Sequence, residues 1–302
     1  MNVTIISAQE IEQANAITHG GVFHADEVMS TVLLSLLFPE IKICRTFKVP
    51  DNISDGVIVY DIGGGLYDHH QRGFNKARED GIKYSSFGLL WQEFGMQFLY
   101  GEPNVELVFN LFDKNFVEGI DAADNGQLSL DDNVSVMTVS SVISGFNPNW
   151  DESEDADTCF LQAVEIAQDI FLNALSTAVA TAKAKICVEK AIRKSSRGIM
   201  VLDRYMPWQE HIFSSCTSTA AEILYVVFPS NRGGYMVNAV PDAPGSFGQR
   251  KPLPESWAGL RGQEFTDETG VATANFCHPA RFICGADSLE DAMLLAKMAV
   301  EA

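Results

Sequence analysis

Four of the six histidines fall in two short segments, His19 and His24 in THGGVFHADE and His69 and His70 in YDHHQR. Asp26 stands beside the first pair, Asp68 beside the second, and Asp61 a few residues upstream. A single histidine is ordinarily a core or surface residue, but clusters mixed with carboxylates are better explained as ligands. Imidazole and carboxylate together suit Mn²⁺, Fe²⁺ or Zn²⁺, and the lack of cysteine here argues against a structural zinc site. Two such ions roughly 3.5–4 Å apart can share a bridging carboxylate and a bridging water, bring that water's pKa toward neutrality and hold phosphoryl oxygens during in-line attack. The expected chemistry is metal-dependent hydrolysis.

Asp121 and Asp124 in GIDAADNG can supply a further terminal carboxylate. The alternative is a helix end and turn, since Asp-Asn-Gly is ordinary turn sequence. The glycines at 63–65 look at first like a phosphate cradle, yet no helix with GKS or GKT follows. They read better as a tight turn that carries the chain from Asp61 to Asp68.

Elements must bring these residues together. Asn15 to Thr18 reads as a short buried strand ending at His19, and Asp26 to Phe38 carries a helical period closed by Pro39. Lys42 to Phe47 and Val57 to Tyr60 read as further strands, the second delivering Asp61 at its carboxyl end. This order predicts an α/β fold with a mostly parallel sheet and flanking helices. Ligands of such sheets collect beyond the carboxyl ends of the strands, where loop length lets all these residues meet. Ser85 or Ser86 caps a predicted helix running to Gly95, another runs from Val105 toward Val117, and 144–157 reads as an acidic exposed loop. A long amphipathic helix from Thr158 to about Arg193 reads as a connector. Beyond Ser195 the pattern is strand-rich (GIMVLDR, AEILYVVFP, GGYMVNAVP) and ends in a helix over Ser288 to Val300, giving a smaller α+β domain. The expected division is 1–150, 151–195 and 196–302.

The chain of 302 residues, 46% hydrophobic and 20% charged, has the composition of a soluble globular protein. No signal peptide is read, and no apolar run approaches the ~20 residues of a bilayer span. The six cysteines include no CxxC pair and read as reduced thiols of a cytoplasmic protein. A net charge of −19 disfavours a long polyanion unless basic groups or bound cations act locally. It favours a small substrate, or is simply an acidity that keeps the protein soluble. An oligomer is compatible with the sequence, and a membrane partner is not expected.

HGGVFHADE, VYDIGG, YDHHQR and EGIDAADNG, in that order, resemble the melanocyte-proliferating-gene family, a branch of the DHH phosphoesterase superfamily. The resemblance continues at GSFGQRKPLPESWAGLRG and FCHPARFICG and so covers nearly the whole chain. It implies two Mn²⁺-class ions, with Mg²⁺, Zn²⁺ or Fe²⁺ as alternatives, and hydrolysis of phosphoester or phosphoanhydride bonds. Relatives in eukaryotes imply an RNA exonuclease acting from the 3′ end. By position, His19, His24 and Asp26 resemble the first metal motif, Asp61 the bridging carboxylate, His69 a ligand and Asp121 the last carboxylate. His70 would face substrate charge and Asp68 would orient the histidine pair. His24 departs from the superfamily, which has Asp there after a spacing one residue shorter, so its role stays open between ligand and gate. The GGGLY segment lacks a longer insertion found in eukaryotic relatives. Arg250, Lys251 and His278 are candidates for holding substrate phosphate from the second domain, with Arg261 a further cation; solvated surface charge is the alternative for each cation. His211 reads as structural.

Two rival functions remain at this stage. One is a small-molecule phosphatase or pyrophosphatase, which the acidic balance favours. The other is a metal-binding regulatory scaffold without catalysis.

Overall fold

VTII, AITH and IKICRT have the β-branched, unalternating composition of strands buried in a parallel sheet. In the computed structural model, which describes residues 2–128 and 134–302, they pair in that way. β1 (Val3–Ile6), β2 (Ala16–His19), β3 (Ile41–Thr46) and the two-residue β4 (Ile58–Val59) form an all-parallel sheet in the order β1-β3-β2-β4. Strand β1 is an addition to the sequence reading; it pairs along one side only, Val3 opposite Ile41 and Ile6 opposite Cys44. The chain leaves β2 toward β3 but returns to place β4 on the other side of β2. The segments that follow β2 and β4 therefore diverge and open a crevice at the carboxyl ends, with His19 and Asp61 on adjacent strands.

Helix α1 (Ala25–Leu37) links β2 to β3, and every residue from Ala25 to Ser35 is buried. It is a core helix, and the polar Ser30, Thr31 and Ser35 beyond its acidic first turn are buried with hydrogen bonds to Ser86, to Glu27 O and Tyr60, and to Val32 O. α2 (Ser86–Phe98) packs beside it and runs past Gly95, where the sequence reading ended it. Gly95 is there for close approach: an added Cβ would lie 2.8 Å from the Phe109 ring and 2.9 Å from Trp91. α3 (Val105–Phe112), a π-helical turn over Asp113–Val117 and α4 (Glu118–Asp124) follow without a break. Asp121 and Asp124 thus lie within a helix and not after one. α5 (Val139–Ser144) precedes the loop at 145–155.

α6 (Ala156–Lys194) is 39 residues long, and the two compact units of the chain divide within it, between Val179 and Ala180. Its first half buries Phe160, Val164 and Phe171 in the first unit, and its second half places Val188 and Ile192 in a core cluster of the second. The predicted connector is therefore built into both units. By length and composition alone α6, with a mean hydropathy of 1.2 over its most apolar window, is long and apolar enough to cross a bilayer, but core residues along it pack into both units.

The second unit contains β5 (Ile199–Val201), α7 (Gln209–Phe213), α8 (Ser218–Glu222), β6 (Tyr225–Pro229), β7 (Tyr235–Ala239), α9 (Gln263–Thr269), β8 (Ala274–Cys277), β9 (Ile283–Ala286) and α10 (Leu289–Glu301). The strands form one mixed sheet, β5-β6-β7-β9-β8, antiparallel except for β5 and β6. Alternate residues serve opposite faces: Tyr225 and Val227 pack with Trp257, Phe265 and Leu295, whereas Val226 and Phe228 pack with Val188 and Ile192 of α6. FCHPARFICG folds as the β8–β9 hairpin, with Arg281 at φ 57° in its turn.

Arg45 near the end of β3 joins the loops at the carboxyl end of the first unit's sheet. Its wholly buried guanidinium donates to Gly21 O at 2.7 Å, Ala156 O at 3.3 Å and Asp157 Oδ1 at 2.6 Å, and stacks 4.3 Å from the Phe160 ring. Charge-assisted hydrogen bonds are the stronger class. Arg45→Met is expected to lower stability by about 2 kcal/mol, seen as a lower urea midpoint in chemical denaturation.

Candidate metal centre

α1 begins where β2 ends, and its first turn brings two acids to the crevice. His24 is the N-cap; its backbone N–H donates to Glu27 Oε1 at 2.8 Å, so Glu27 is folded back over the start of the helix. The positive end of the helix offsets part of the cost of burying Asp26 and Glu27. Asp26 is held in turn by the Ser86 hydroxyl at 2.7 Å, at the start of α2.

Asp61 leaves β4 at φ 58°, a left-handed conformation that Asp and Asn tolerate better than other side chains. Its N–H donates to Tyr67 O, which closes the 61–67 loop. Within that loop Gly63 and Gly64 adopt positive φ, and the Gly64 N–H donates to Asp68 Oδ2 at 2.7 Å. The glycine run is thus a turn. Asp68 also accepts the His70 N–H at 2.9 Å and lies 3.2 Å from His70 Nδ1, so it fixes the loop and orients that ring.

The outcome is one connected cluster. Glu27 Oε1 lies 2.9 Å and Asp61 Oδ2 3.3 Å from His19 Nε2. The other Asp61 oxygen lies 3.3 Å from His69 Nδ1 and 3.4 Å from His70 Nδ1, while His69 Nε2 reaches Asp124 Oδ2 at 2.8 Å. Ligand atoms come within 4.8 Å of one another in four sets: His19, His24 and Glu27; Asp26, Glu27 and Asp61; Asp61, His69 and His70; and Asp26, His69 and Asp124. Beside them opens a cleft of about 480 Å³, lined by His24, His69, His70, Asp124, Asn125 and Ser140 among others.

The chemistry of the cluster fits cations. Asp26 Oδ1, Glu27 Oε2, Asp61 Oδ1 and His69 Nδ1 are buried without a hydrogen-bond partner, an arrangement that ordinarily needs an explanation such as an ion. The His19 Nδ1 faces the Gly20 carbonyl at 3.2 Å, so a neutral ring would aim its Nε2 lone pair at two carboxylates. Burial pulls the His19 ring down, but bonds to Asp61 and Glu27 outweigh it and raise it to about 10. Burial likewise lowers His69, and Asp124 and Asp61 overcome it, again to about 10. Burial and then the charges of Asp61, Glu27 and Asp124 drive Asp26 well up. Burial also pushes Asp61 upward, yet its histidine partners hold it below the ordinary carboxylate value. Negative charge is in excess here, and bound divalent cations are its natural compensation.

Of the residues singled out in the sequence, His19, His24, Asp26, Asp61, Asp68, His69 and His70 are brought together. Asp121 is not. Ser85 Oγ donates to its Oδ1 at 2.6 Å, the Gly88 N–H at 3.0 Å, and Arg78 lies 2.8 Å from its Oδ2, so its carboxylate is committed to the start of α2. Asp124, one helical turn on, meets His69 instead. Glu27 was not singled out in the sequence; its place three residues after His24, beside Asp26, was the available signal. Arg250 donates to Ala220, Ala221 and Ile223 carbonyls, and Lys251 to Val300 O. Both cations therefore close backbone carbonyls at the ends of α8 and α10, which explains their presence without a phosphate. His278 lies exposed in the β8–β9 turn, where Nδ1 accepts the Ala280 N–H at 3.0 Å. His211 is buried, with Nε2 2.7 Å from the Thr181 carbonyl.

The family model for MYG1 exonucleases, described as an uncharacterised protein family (UPF0160), matches residues 15–300. The chain belongs to the MYG1 family. It is 33% identical to a MYG1 protein of Saccharomyces cerevisiae over 94% of each chain. It is 31% identical to the MYG1 exonuclease of Homo sapiens over 93% of this chain and 84% of that one. A MYG1 protein of Caenorhabditis elegans is 33% identical, again over 94% of each. No solved structure matches the chain. All the clustered residues of this MYG1-family chain lie within the matched span.

Burial raises Asp121 to about 6 from an ordinary 3.8, against the opposing pull of Arg78, Ser85 and Gly88. A raised folded value means that the folded chain binds this proton more tightly than the unfolded one. The stabilisation is full below pH 3.8 and is lost as pH rises through 6. Asp121→Asn removes that dependence, so its Tm deficit against the parent is expected to be larger at pH 5 than at pH 8. A deficit that grows with pH would contradict the assignment.

Proposed function

We propose that the chain is a metal-dependent phosphoesterase that cleaves phosphodiester bonds of RNA or short oligonucleotides. Asp61 carries the reading: one oxygen faces His19 and the other faces His69 and His70, as in a carboxylate shared by two cations. His19, His24 and Glu27 would hold one ion, and Asp26, His69 and Asp124 the other. Bound divalent ions, Mn²⁺ first among them, would supply a water nucleophile at neutral pH and neutralise charge on the phosphoryl group.

The chain's own groups do the rest. His70, with 61% of its side chain exposed, has Nδ1 directed at Asp68, which leaves Nε2 to hold a proton toward a phosphoryl or leaving-group oxygen. The His24 ring and the Ser140 hydroxyl line the same cleft and can orient the substrate. The nucleic-acid half of the proposal is supported by the name exonuclease borne by the human and mouse relatives. Placement in the DHH superfamily and 3′-to-5′ polarity are part of the same proposal. A second reading, hydrolysis of a small phosphorylated molecule, is favoured by a cleft with no Lys or Arg among its described lining residues and by the net charge of −19.

Adding Mn²⁺ to chelator-treated protein is expected to raise Tm. Asp61→Asn and Asp124→Asn should each lose that shift, whereas Asp121→Asn should keep it. With Mn²⁺, single-stranded RNA should yield nucleoside monophosphates, and Asp61→Asn should slow this by about a hundred-fold, or ~2.7 kcal/mol. Turnover of pyrophosphate without RNA would select the small-substrate reading, and the absence of any metal-dependent shift would sink both. His70→Ala should lower kcat while the Mn²⁺-induced shift persists.

A further inference from the structure

The second unit has a cleft of its own, about 450 Å³ in volume, between the end of β7, the β8–β9 turn and the loop at 242–249. Its described lining residues include the aromatic Phe247, Phe282 and His278, with Asn238, Gln209, Ser246 and Gln249 as polar residues, and no Asp, Glu, Lys or Arg. In a chain with 40 acidic and 21 basic residues, a recess lined by uncharged side chains is a distinct environment. It suits a neutral, flat molecule with hydrogen-bonding edges.

The ring at its mouth is held out to solvent by an ordered loop. Phe247 is 99% exposed. The Asp242 N–H donates to Gly248 O, the Ser246 N–H to Ala243 O, and the Gly248 N–H to the Ser246 hydroxyl. The Gln249 side-chain amide donates to Phe247 O. Closure is tight: a Cβ at Gly248 would meet the Asp242 carboxylate at 2.2 Å. Phe247 is thus presented by a fastened turn at the lip of an aromatic recess.

The remaining groups are also preset. The His278 Nδ1 accepts the Ala280 N–H, so a neutral ring carries its proton on Nε2 and offers a donor. Its ring centroid lies 4.5 Å from that of Phe282. Exposed aromatic planes combined with Asn, Gln, Ser and His edges are how proteins take up unstacked bases.

We propose that this cleft binds a nucleobase, with Phe247 stacking on its face and the Asn238 and His278 side chains reading its edge. The inference rests on the nucleic-acid reading above and adds where a base would be recognised. The absence of cations from the lining makes the base, and not the phosphate, the recognised part.

Adenosine and uridine, which carry no phosphate, are the probes, titrated by calorimetry into the full chain with a chelator present. Both should bind. Phe247→Ala, at an exposed position that leaves the core untouched, should weaken binding at least about five-fold, the lower end of base–aromatic stacking. His278→Ala should also weaken it, and Asp61→Asn should leave it unchanged. Binding unaffected by Phe247→Ala, or lost in Asp61→Asn, would overturn the proposal. So would failure of either nucleoside to bind, including the case where Phe247→Ala instead abolishes a dimer in sedimentation and a second copy proves to be the occupant. Phe247-dependent nucleoside binding by a chain that hydrolyses no RNA would uphold this cleft while the hydrolase reading fails.

Discussion

Like charges in a protein interior repel at close range and are costly to desolvate. In the first unit Asp26, Glu27, Asp61 and Asp68 are all buried around the carboxyl ends of β2 and β4, and Asp124 closes the group through His69. Hydrogen bonds from Ser86, from the α1 capping turn and from the glycine turn satisfy part of this set, and the helix end at Ala25 offsets some of its charge. What they leave unpaired lies on the atoms that face one another across His19, Asp61 and His69. The surrounding structure looks arranged to tolerate this concentration: the wholly buried α1, the left-handed Asp61, and the Arg45 bond that fastens the loop after β2. A core with such a concentration of acids and imidazoles could hold cations.

The parallel sheet and the histidine clusters were legible because both are written locally. AITH followed by HADE gives a strand and a capped helix, and GVIVYD ends a strand at an acid, so the meeting of His19 with Asp61 follows from the topology of a parallel sheet. Which acid of the third segment meets His69 was not legible. Choosing between Asp121 and Asp124 needs the helical phase set by the preceding π turn and the presence of Arg78, which is distant in sequence. Glu27 was hidden for a different reason, since the same side chain caps the helix and faces the cluster.

In the second unit the strands with clear alternation were legible, whereas β8 and β9 were not, being short and separated by a Pro-containing turn that resembles a loop. Arg250 and Lys251 attracted attention as scarce cations. Their scarcity was real, but charge alone does not say whether a cation faces a ligand or a helix end, and both side chains settle on backbone carbonyls. The contrast with His69 is instructive: its neighbours are side chains with unfilled lone pairs, while those of Arg250 are main-chain groups that any helix terminus exposes.

The π turn over Asp113–Val117 has a consequence for how this gene can vary. It widens one turn of an otherwise continuous helix, and the residues after it are rotated relative to an unbroken α-helix. Arg78 engages Asp113 at its start and Asp121 beyond it, while Asp124, about one turn on from Asp121, meets His69. Gaining or losing one codon within 113–117 would turn α4 by about 100° and present different side chains to Arg78 and to His69, with every acid still encoded. Keeping Asp121 on Arg78 and Asp124 on His69 therefore depends on the length of this short segment as well as on the identity of its acids.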